Sequence, residues 1–351
     1  MSNTNPPLSP RIDVHSHFLP DFYTTALHEN GHSHPDGMPA IPPWSLSAHL
    51  SNMSSSNITR SILSISSPGT NLTAGNAELA TTLTRRTNSF ASTLTQQHPS
   101  KLSYWASLPL PYIAPSLTEI DAAASTCAGF ALLTNYHGTY IGDASLAPVF
   151  ARLNELHATV FIHPTAPCTQ HSTPASAHTS PALPLGAAYP VPMFEFLFDT
   201  ARAVINLFLT GTVDAYPHIT YIVPHVGGAF PPLISRFLKF STVIPGGRVL
   251  DPQTVHRQLQ SRFYFDIAGF AFDGEEGGAG QVRGLVEGGG VGADRLLYGS
   301  DFPFTPEGAV RGLAVRMEDG LKELFGEEGR EGVYEGNARR LLEGSELGKA
   351  E

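Results

Sequence analysis

Short apolar runs alternate with longer amphipathic stretches along most of this chain. Eight runs read as strands, at residues 11–15, 59–65, 103–108, 129–133, 159–163, 219–224, 262–267 and 295–298. Several are rich in β-branched or aromatic residues and are bounded by Gly, Pro or Ser, a pattern that suits a buried pleated surface. Between them, apolar residues recur at spacings of three and four, the period of a helix that buries one face. The stretch 77–97 carries Leu79, Leu83, Phe90 and Leu94, and 144–157 carries Leu146, Val149, Phe150 and Leu153. The stretch 194–216 is long and strongly apolar, and 306–325 opens on a proline, whose missing N–H costs nothing in a first helical turn.

Strands alternating with helices predict an α/β fold, a (β/α)8 TIM barrel with a small insertion after strand 1, running as one domain over residues 1–351. A doubly wound open sheet is the alternative, but no GxGxxG follows the first strand. Three stretches are longer than a simple connection. Residues 21–56 are expected to form a flap or hairpin, 165–192 is rich in Pro, Ala, Ser and His, and 274–292 is a glycine-rich surface loop. The first two would lie beside the carboxyl ends of strands 1 and 5, where barrel active sites are built. A disordered tail is expected over 344–351.

Composition narrows the partners. An apolar fraction of 41% fills a sizeable core, and only 15% of residues are charged, which excludes disorder over most of the length. The formal charge of −10 argues against nucleic acid and against an anionic membrane surface, since both require a basic face. Cys127 and Cys168 lie far apart and read as free thiols of a reducing compartment. Residues 1–11 are polar and proline-rich, and no run approaches the roughly 18–20 apolar residues of a membrane span. A soluble, cytoplasmic protein is the expectation.

The chemistry gathers where the runs end. Asp13-Val14-His15-Ser16-His17 places two histidines on alternate positions of a strand, which face the same side, so both imidazoles converge. His163 ends Val160-Phe161-Ile162-His163-Pro164, His225 follows Ile222-Val223-Pro224, and Asp301 follows Tyr298-Gly299-Ser300. One such histidine is ordinarily a capped or solvated side chain; five metal-competent groups on the catalytic rim of one barrel are not explained that way. Imidazole nitrogen with one carboxylate suits Zn2+, and also Fe2+ or Mn2+. The fourth run and its continuation, Gly129-Phe130-Ala131-Leu132-Leu133-Thr134-Asn135-Tyr136, offer no Lys, Glu, Asp or Cys to bridge a second ion, which points to one metal. Of the remaining histidines, His137 is kept as a pocket candidate. Trp44, Phe194, Phe196 and Phe302 are candidate walls for an apolar ligand, with core packing as the alternative for each. Arg60 and Arg236 could pair with a ligand carboxylate or form ordinary surface ion pairs.

These motifs, with Pro224-His225-Val226-Gly227-Gly228-Ala229-Phe230-Pro231 and Gly299-Ser300-Asp301-Phe302-Pro303, resemble the metal-dependent amidohydrolase superfamily. Within it, the chain is similar to the branch of aminocarboxymuconate-semialdehyde, resorcylate and dihydroxybenzoate decarboxylases. The likeness runs from about residue 11 to Gly336-Asn337-Ala338-Arg339-Arg340-Leu341. The segments 37–45 and 61–69 resemble those of 6-methylsalicylate decarboxylases, which make m-cresol from a polyketide-derived acid in secondary metabolism. The resemblance implies that His15, His17, His163 and Asp301 hold one divalent metal, Zn2+ before Mn2+, with no organic cofactor. It implies that His225 is a non-ligand acid/base, and the chemistry of decarboxylation adds Asp301 as the expected catalytic donor of a proton to the ring carbon. It further implies a small aromatic carboxylic acid as substrate and a homodimer or homotetramer in which a neighbouring chain helps close the pocket. The function so implied is non-oxidative decarboxylation of a hydroxybenzoate, 6-methylsalicylate to m-cresol and CO2. The alternatives are a mononuclear metal-dependent hydrolase of a lactone or amide, and a barrel that only binds an aromatic acid.

Overall fold

Eight parallel strands follow one another around a single sheet in chain order. They are β1 (Arg11–His17), β2 (Ile58–Ser64), β3 (Leu102–Ser107), β4 (Gly129–Leu133), β5 (Thr159–His163), β6 (Thr220–Val223), β7 (Phe263–Asp266) and β8 (Leu296–Leu297). The computed structural model describes residues 8–173, 176–183, 185, 188–272, 279–344 and 347. Closure comes from backbone bonds between β1 and the segment after β8: Val14 N–H donates to the Tyr298 carbonyl at 3.0 Å, and Asp301 N–H to the His15 carbonyl at 2.8 Å. The (β/α)8 barrel is therefore the fold.

Because the strands are covered on both faces, their residues are apolar on both, which explains the near-continuous runs in the sequence. The inward face contributes one layer from every strand: Ile12 and Val14, Ile62, Trp105, Ala131, Phe161, Ile222, Tyr264 and Leu297. Ala338 and Leu341 of α12 (Asn337–Gly344) pack against that layer. The larger apolar cluster lies between the sheet and the surrounding helices. These are α1 (Asp21–Glu29), α2 (Leu46–Ser55), α3 (Ala77–Gln97), α4 (Ile113–Ala123), α5 (Ala147–Glu155), α6 (Glu195–Leu209), α7 (Thr212–Ala215), α8 (Ile234–Ser241), α9 (Pro252–Arg262), α10 (Gly280–Gly289) and α11 (Glu307–Glu331). Among the described residues, no helix is long and apolar enough to cross a membrane.

Several expected elements differ. The stretch 21–56 holds two helices, α1 and α2, joined through a single turn at Pro35–Gly37, rather than a flap or hairpin. The stretch 165–192 contains an antiparallel hairpin, Cys168–Thr173 against Ser176–Pro181. The long apolar helix breaks at Gly211, whose φ of +82° suits glycine and ends α6. Of the expected loop 274–292, residues 280–289 form α10, which buries Val282 and Leu285; 274–278 lie outside the described residues. The expected tail, apart from Gly344 and Leu347, also lies outside them.

Candidate metal centre and active site

The end of β1 is shaped by one extra residue. Asp13 pairs with Ser61 and Ser16 with Leu63, so β1 takes three steps where β2 takes two. Such a bulge re-aims side chains at a barrel rim. Asp13, fully buried, holds the distortion: its Oδ1 accepts from His15 N–H at 3.1 Å and Ser300 N–H at 3.0 Å, and its Oδ2 from the Ser300 hydroxyl at 2.6 Å. Burial lifts the Asp13 carboxyl to about 7, against the pull of the Ser300 and His15 bonds. The neighbouring glycine is required by space: a Cβ on Gly299 would sit 2.8 Å from the His15 Cβ and 3.0 Å from the Ala268 Cβ.

Four imidazoles and a carboxylate then meet. Ring centroids of His15 lie 5.1 Å from His17, 5.4 Å from His163 and 5.0 Å from His225, and those of His17 and His163 are 4.8 Å apart. The ligating atoms of His15, His17 and His163 fall within 4.8 Å of one another, as do those of His15, His225 and Asp301. In each of the first three, Nδ1 is engaged by the protein. His15 Nδ1 meets Asp266 Oδ2 at 2.9 Å, His17 Nδ1 the Ser64 hydroxyl at 3.0 Å, and His163 Nδ1 the Pro164 carbonyl at 2.7 Å. Ser64 gives its hydroxyl proton to the Ser16 carbonyl, so it accepts from His17 and the tautomer follows. His17 Nε2 then carries a lone pair, yet it stands 3.1 Å from Asp301 Oδ1. Two acceptors at that distance call for a cation between them. His15 Nε2, buried and without a hydrogen-bond partner, lies 3.5 Å from the same oxygen.

The electrostatics agree. Burial, and then the neighbouring rings, hold His17 below its usual value and His163 well below, so both are neutral imidazoles. For His15, burial works against the charge, but Asp266, Asp301 and Asp13 overcome it and raise the group to about 9. Asp301 is held well below the carboxylate range: burial opposes this, and the neighbouring His17, His225 and His15 rings prevail. The negative potential that keeps a proton on His15 is the potential that suits a divalent cation.

His225 sits apart. Its Nε2 lies 3.9 Å from Asp301 Oδ2, and its Nδ1 is buried without a partner. Three residues here take left-handed backbone angles, His225 (φ +52°), Val226 (+56°) and Asp301 (+56°), a strain that concentrates at functional sites. Two groups not expected from the sequence hold this loop. Asp266, at the end of β7, bonds the His15 ring through Oδ2 and accepts the His225 N–H through Oδ1 at 3.0 Å, so one carboxylate orients both. Gln281, in the first turn of α10, donates to the His225 and Gly228 carbonyls at 2.8 and 3.0 Å. The available signal for Asp266 was an acid ending the apolar run Phe263-Tyr264-Phe265, the same signal that marked Asp301.

A cavity of about 550 Å³ opens over the cluster, with His163, His225 and Asp301 in its wall. Phe196, Leu197, Phe270 and Phe304 give it an apolar surface. The structure brings Phe196 to it, on the first turn of α6 with its ring 6.1 Å from His163. It does not bring Trp44, Phe194, Phe302 or Arg60 to that wall. Trp44 packs in the apolar layer at 6.3 Å from both Phe18 and Phe90. Phe302 is buried against His49, Phe194 packs on Phe198, and Arg60 donates to the Ser103 hydroxyl at 2.6 Å. Arg236 stacks on Phe240, 4.6 Å from its centroid. Hydrophobic burial, not ligand contact, accounts for Trp44 and Phe302. His137 lines a separate chamber.

Comparison with known proteins gives the following. The family model for amidohydrolases matches residues 12–344. A decarboxylase of Aspergillus niger, yanB, is 33% identical over 340 residues, covering 95% of this chain and 87% of the relative. The 6-methylsalicylic acid decarboxylase of Penicillium expansum is 30% identical, covering 86% of this chain and 87% of its own. Among solved structures, the 5-carboxyvanillate decarboxylase of Novosphingobium aromaticivorans, complexed with manganese and 4-hydroxy-3-methoxy-5-nitrobenzoic acid, shares the fold. It superposes with a TM-score of 0.77 at 19% identity, over 95% of this chain and 96% of that one.

Proposed function

This chain belongs to the amidohydrolase family, and from that premise we propose that it is a metal-dependent, non-oxidative decarboxylase of a hydroxybenzoate-type acid, converting 6-methylsalicylate to m-cresol and CO2. The carrying observation is the three imidazoles with Nδ1 engaged by the protein, meeting the Asp301 carboxylate at the floor of an apolar cavity. His15, His17, His163 and Asp301 would hold one divalent ion, Zn2+ first and Mn2+ as the alternative. Bound there, the ion supplies Lewis-acid charge that fixes a salicylate carboxylate and its ortho hydroxyl. The names of the fungal relatives, and the manganese and aromatic ligand of the 5-carboxyvanillate decarboxylase, support this reading.

The chain's own groups do the rest. Phe196, Phe270 and Phe304 receive a methylated ring and keep water from it. Loss of CO2 leaves an electron pair on the ring carbon, so the lower route protonates that carbon first. Asp301 is held ionised and therefore needs a proton source; outside the proposed ligand set, His225 Nε2, 3.9 Å from its Oδ2, is the nearest imidazole nitrogen. The proton passes from His225 to Asp301 and on to the carboxylate-bearing carbon. The C–C bond then breaks, its pair restores the aromatic ring, CO2 departs, and solvent reprotonates His225. The same reading takes the protein as a cytoplasmic homodimer or homotetramer; the free thiols Cys127 and Cys168 fit a reducing compartment, and light scattering tests the assembly.

The test offers 6-methylsalicylate, 2,3-dihydroxybenzoate and simple lactones to the purified protein and follows CO2. Release of CO2 from the first, without lactone opening, is expected. Lactone opening with no CO2 would place the chain among the hydrolases.

A further inference from the structure

A second chamber, of about 260 Å³, lies beside the active-site cavity, and Asp36 stands in the wall of both. Among the described residues, no other lines the two. Asp36 is half-buried in the Pro35–Gly37 turn between α1 and α2, with a left-handed φ of +53°. The Ser67 side chain and the Ala166 N–H are the polar groups that act on its carboxylate. Ser67 in turn lies 2.7 Å from the Thr165 hydroxyl. A carboxylate has about four acceptor sites, and this one stands in the wall of both cavities.

The rest of the chamber asks for the same kind of group. His32 and His137 already meet the Leu72 and Asn71 carbonyls at 2.9 and 3.0 Å. Asn135 is engaged with Asp199 and the Gly138 N–H. Asn71, 5% exposed, gives its amide N–H to the Leu110 carbonyl, while its Oδ1 is buried with no hydrogen-bond partner. What remains in this wall is the Tyr136 hydroxyl, which takes the Leu133 N–H, and two acceptors, the Asp36 carboxylate and the Asn71 amide oxygen. A carboxylate in the wall of a site for an anionic acid gains from a ligand that donates a hydrogen bond to it.

We propose that Asp36 is a specificity-determining residue that accepts a hydrogen bond from a further ring hydroxyl, one beyond the hydroxyl beside the carboxylate, where the two cavities meet. The inference rests on the hydroxybenzoate reading above and refines it: 6-methylsalicylate fills the cavity without using Asp36, and a dihydroxylated ring uses it. Charged hydrogen bonds of this kind are worth about 10- to 100-fold in affinity.

The decisive pair of probes is orcinol and m-cresol, which differ by that one hydroxyl and have no carboxylate to lose. Calorimetry on the metal-loaded wild-type protein is expected to show orcinol binding about 10- to 100-fold tighter. Asp36→Asn and Asp36→Ala should bring the ratio to within about threefold of unity. Ser67→Ala, which loosens the anchoring of Asp36 but keeps the carboxylate, should retain the preference; a purely structural Asp36 would make all three variants behave alike. Equal wild-type affinity for the two phenols, including failure of both to bind, or a preference that survives in the Asp36 variants, overturns the proposal. Decarboxylation of 6-methylsalicylate and 2,4-dihydroxy-6-methylbenzoate is followed separately. A phenol preference without CO2 would leave Asp36 standing and remove the decarboxylase reading; CO2 without the preference would do the reverse.

Discussion

β1 carries a buried charged assembly at each end, and the two are completed differently. At its start, Arg11 is fully buried, with Nη2 2.7 Å from Glu318 Oε1 and Nε 3.1 Å from the Ser9 carbonyl. Its guanidinium lies over Tyr334 at 4.2 Å and Tyr298 at 5.0 Å. Glu318 also takes the Ser9 N–H at 2.7 Å and Arg330 at 3.0 Å. Cation and anion both come from the chain, while Arg11 Nη1, Arg330 Nε and the Tyr334 hydroxyl make no hydrogen bond. Six positions on, His17 presents a lone pair to a carboxylate, and His15 Nε2 has no hydrogen-bond partner. Burying charge is tolerable only when it is paired. The start of the strand is paired by protein, and its end is paired by a cation from outside. That difference separates a structural cluster from a functional one.

The sharpest way to break the comparison is at the functional end. Asp301→Asn is expected to lower kcat by about 10²- to 10⁴-fold, measured as CO2 release with metal content determined on the same sample. Substantial activity with metal still bound would remove Asp301 from the proton path. At the structural end, Glu318→Gln strands Arg11 in the interior. It should cost about 3–5 kcal/mol in urea denaturation while leaving metal per folded chain unchanged. A loss of metal there would mean that the two ends are not independent.

Much of this was legible in the sequence because burial on both faces writes strands as apolar runs, and because a barrel gathers the ends of those runs at one rim. The convergence of His15, His17, His163, His225 and Asp301 is legible that way. The misreadings have physical causes too. Gly284, Gly288 and Gly289 hid the helical spacing of Val282 and Leu285, so α10 read as a loop, although its Gln281 fixes the His225 loop. Trp44 and Phe302 were misplaced because an apolar residue near the rim reports burial, not which void it faces. Asp266 went unnoticed because nothing beside it in sequence repeats the histidine motifs; its role exists only across strands, between His15 and the backbone of His225.

Asp266 gives a finer test of the same contrast. Asp266→Asn keeps the shape but loses the charge that orients His15, and should weaken metal binding about 10- to 100-fold in a chelator competition. Unchanged affinity would reduce Asp266 to a backbone anchor. A pH dependence of similar size at most follows from His15, whose ring is raised to about 9 before metal binds. The ion must displace the proton on that ring, so affinity should rise by up to about tenfold per pH unit from pH 6 to 8 and level off near 9. Affinity that is flat across this range would mean that no proton is released from the cluster.

Metal analysis of purified wild-type protein and His17→Ala, each equilibrated with Zn2+ or Mn2+ and then freed of loose ions, bears most directly on the claim that β1 ends in a cation site. One ion per wild-type chain and almost none in the variant is the expected result. Equal metal content in both proteins, or none in either, would contradict it.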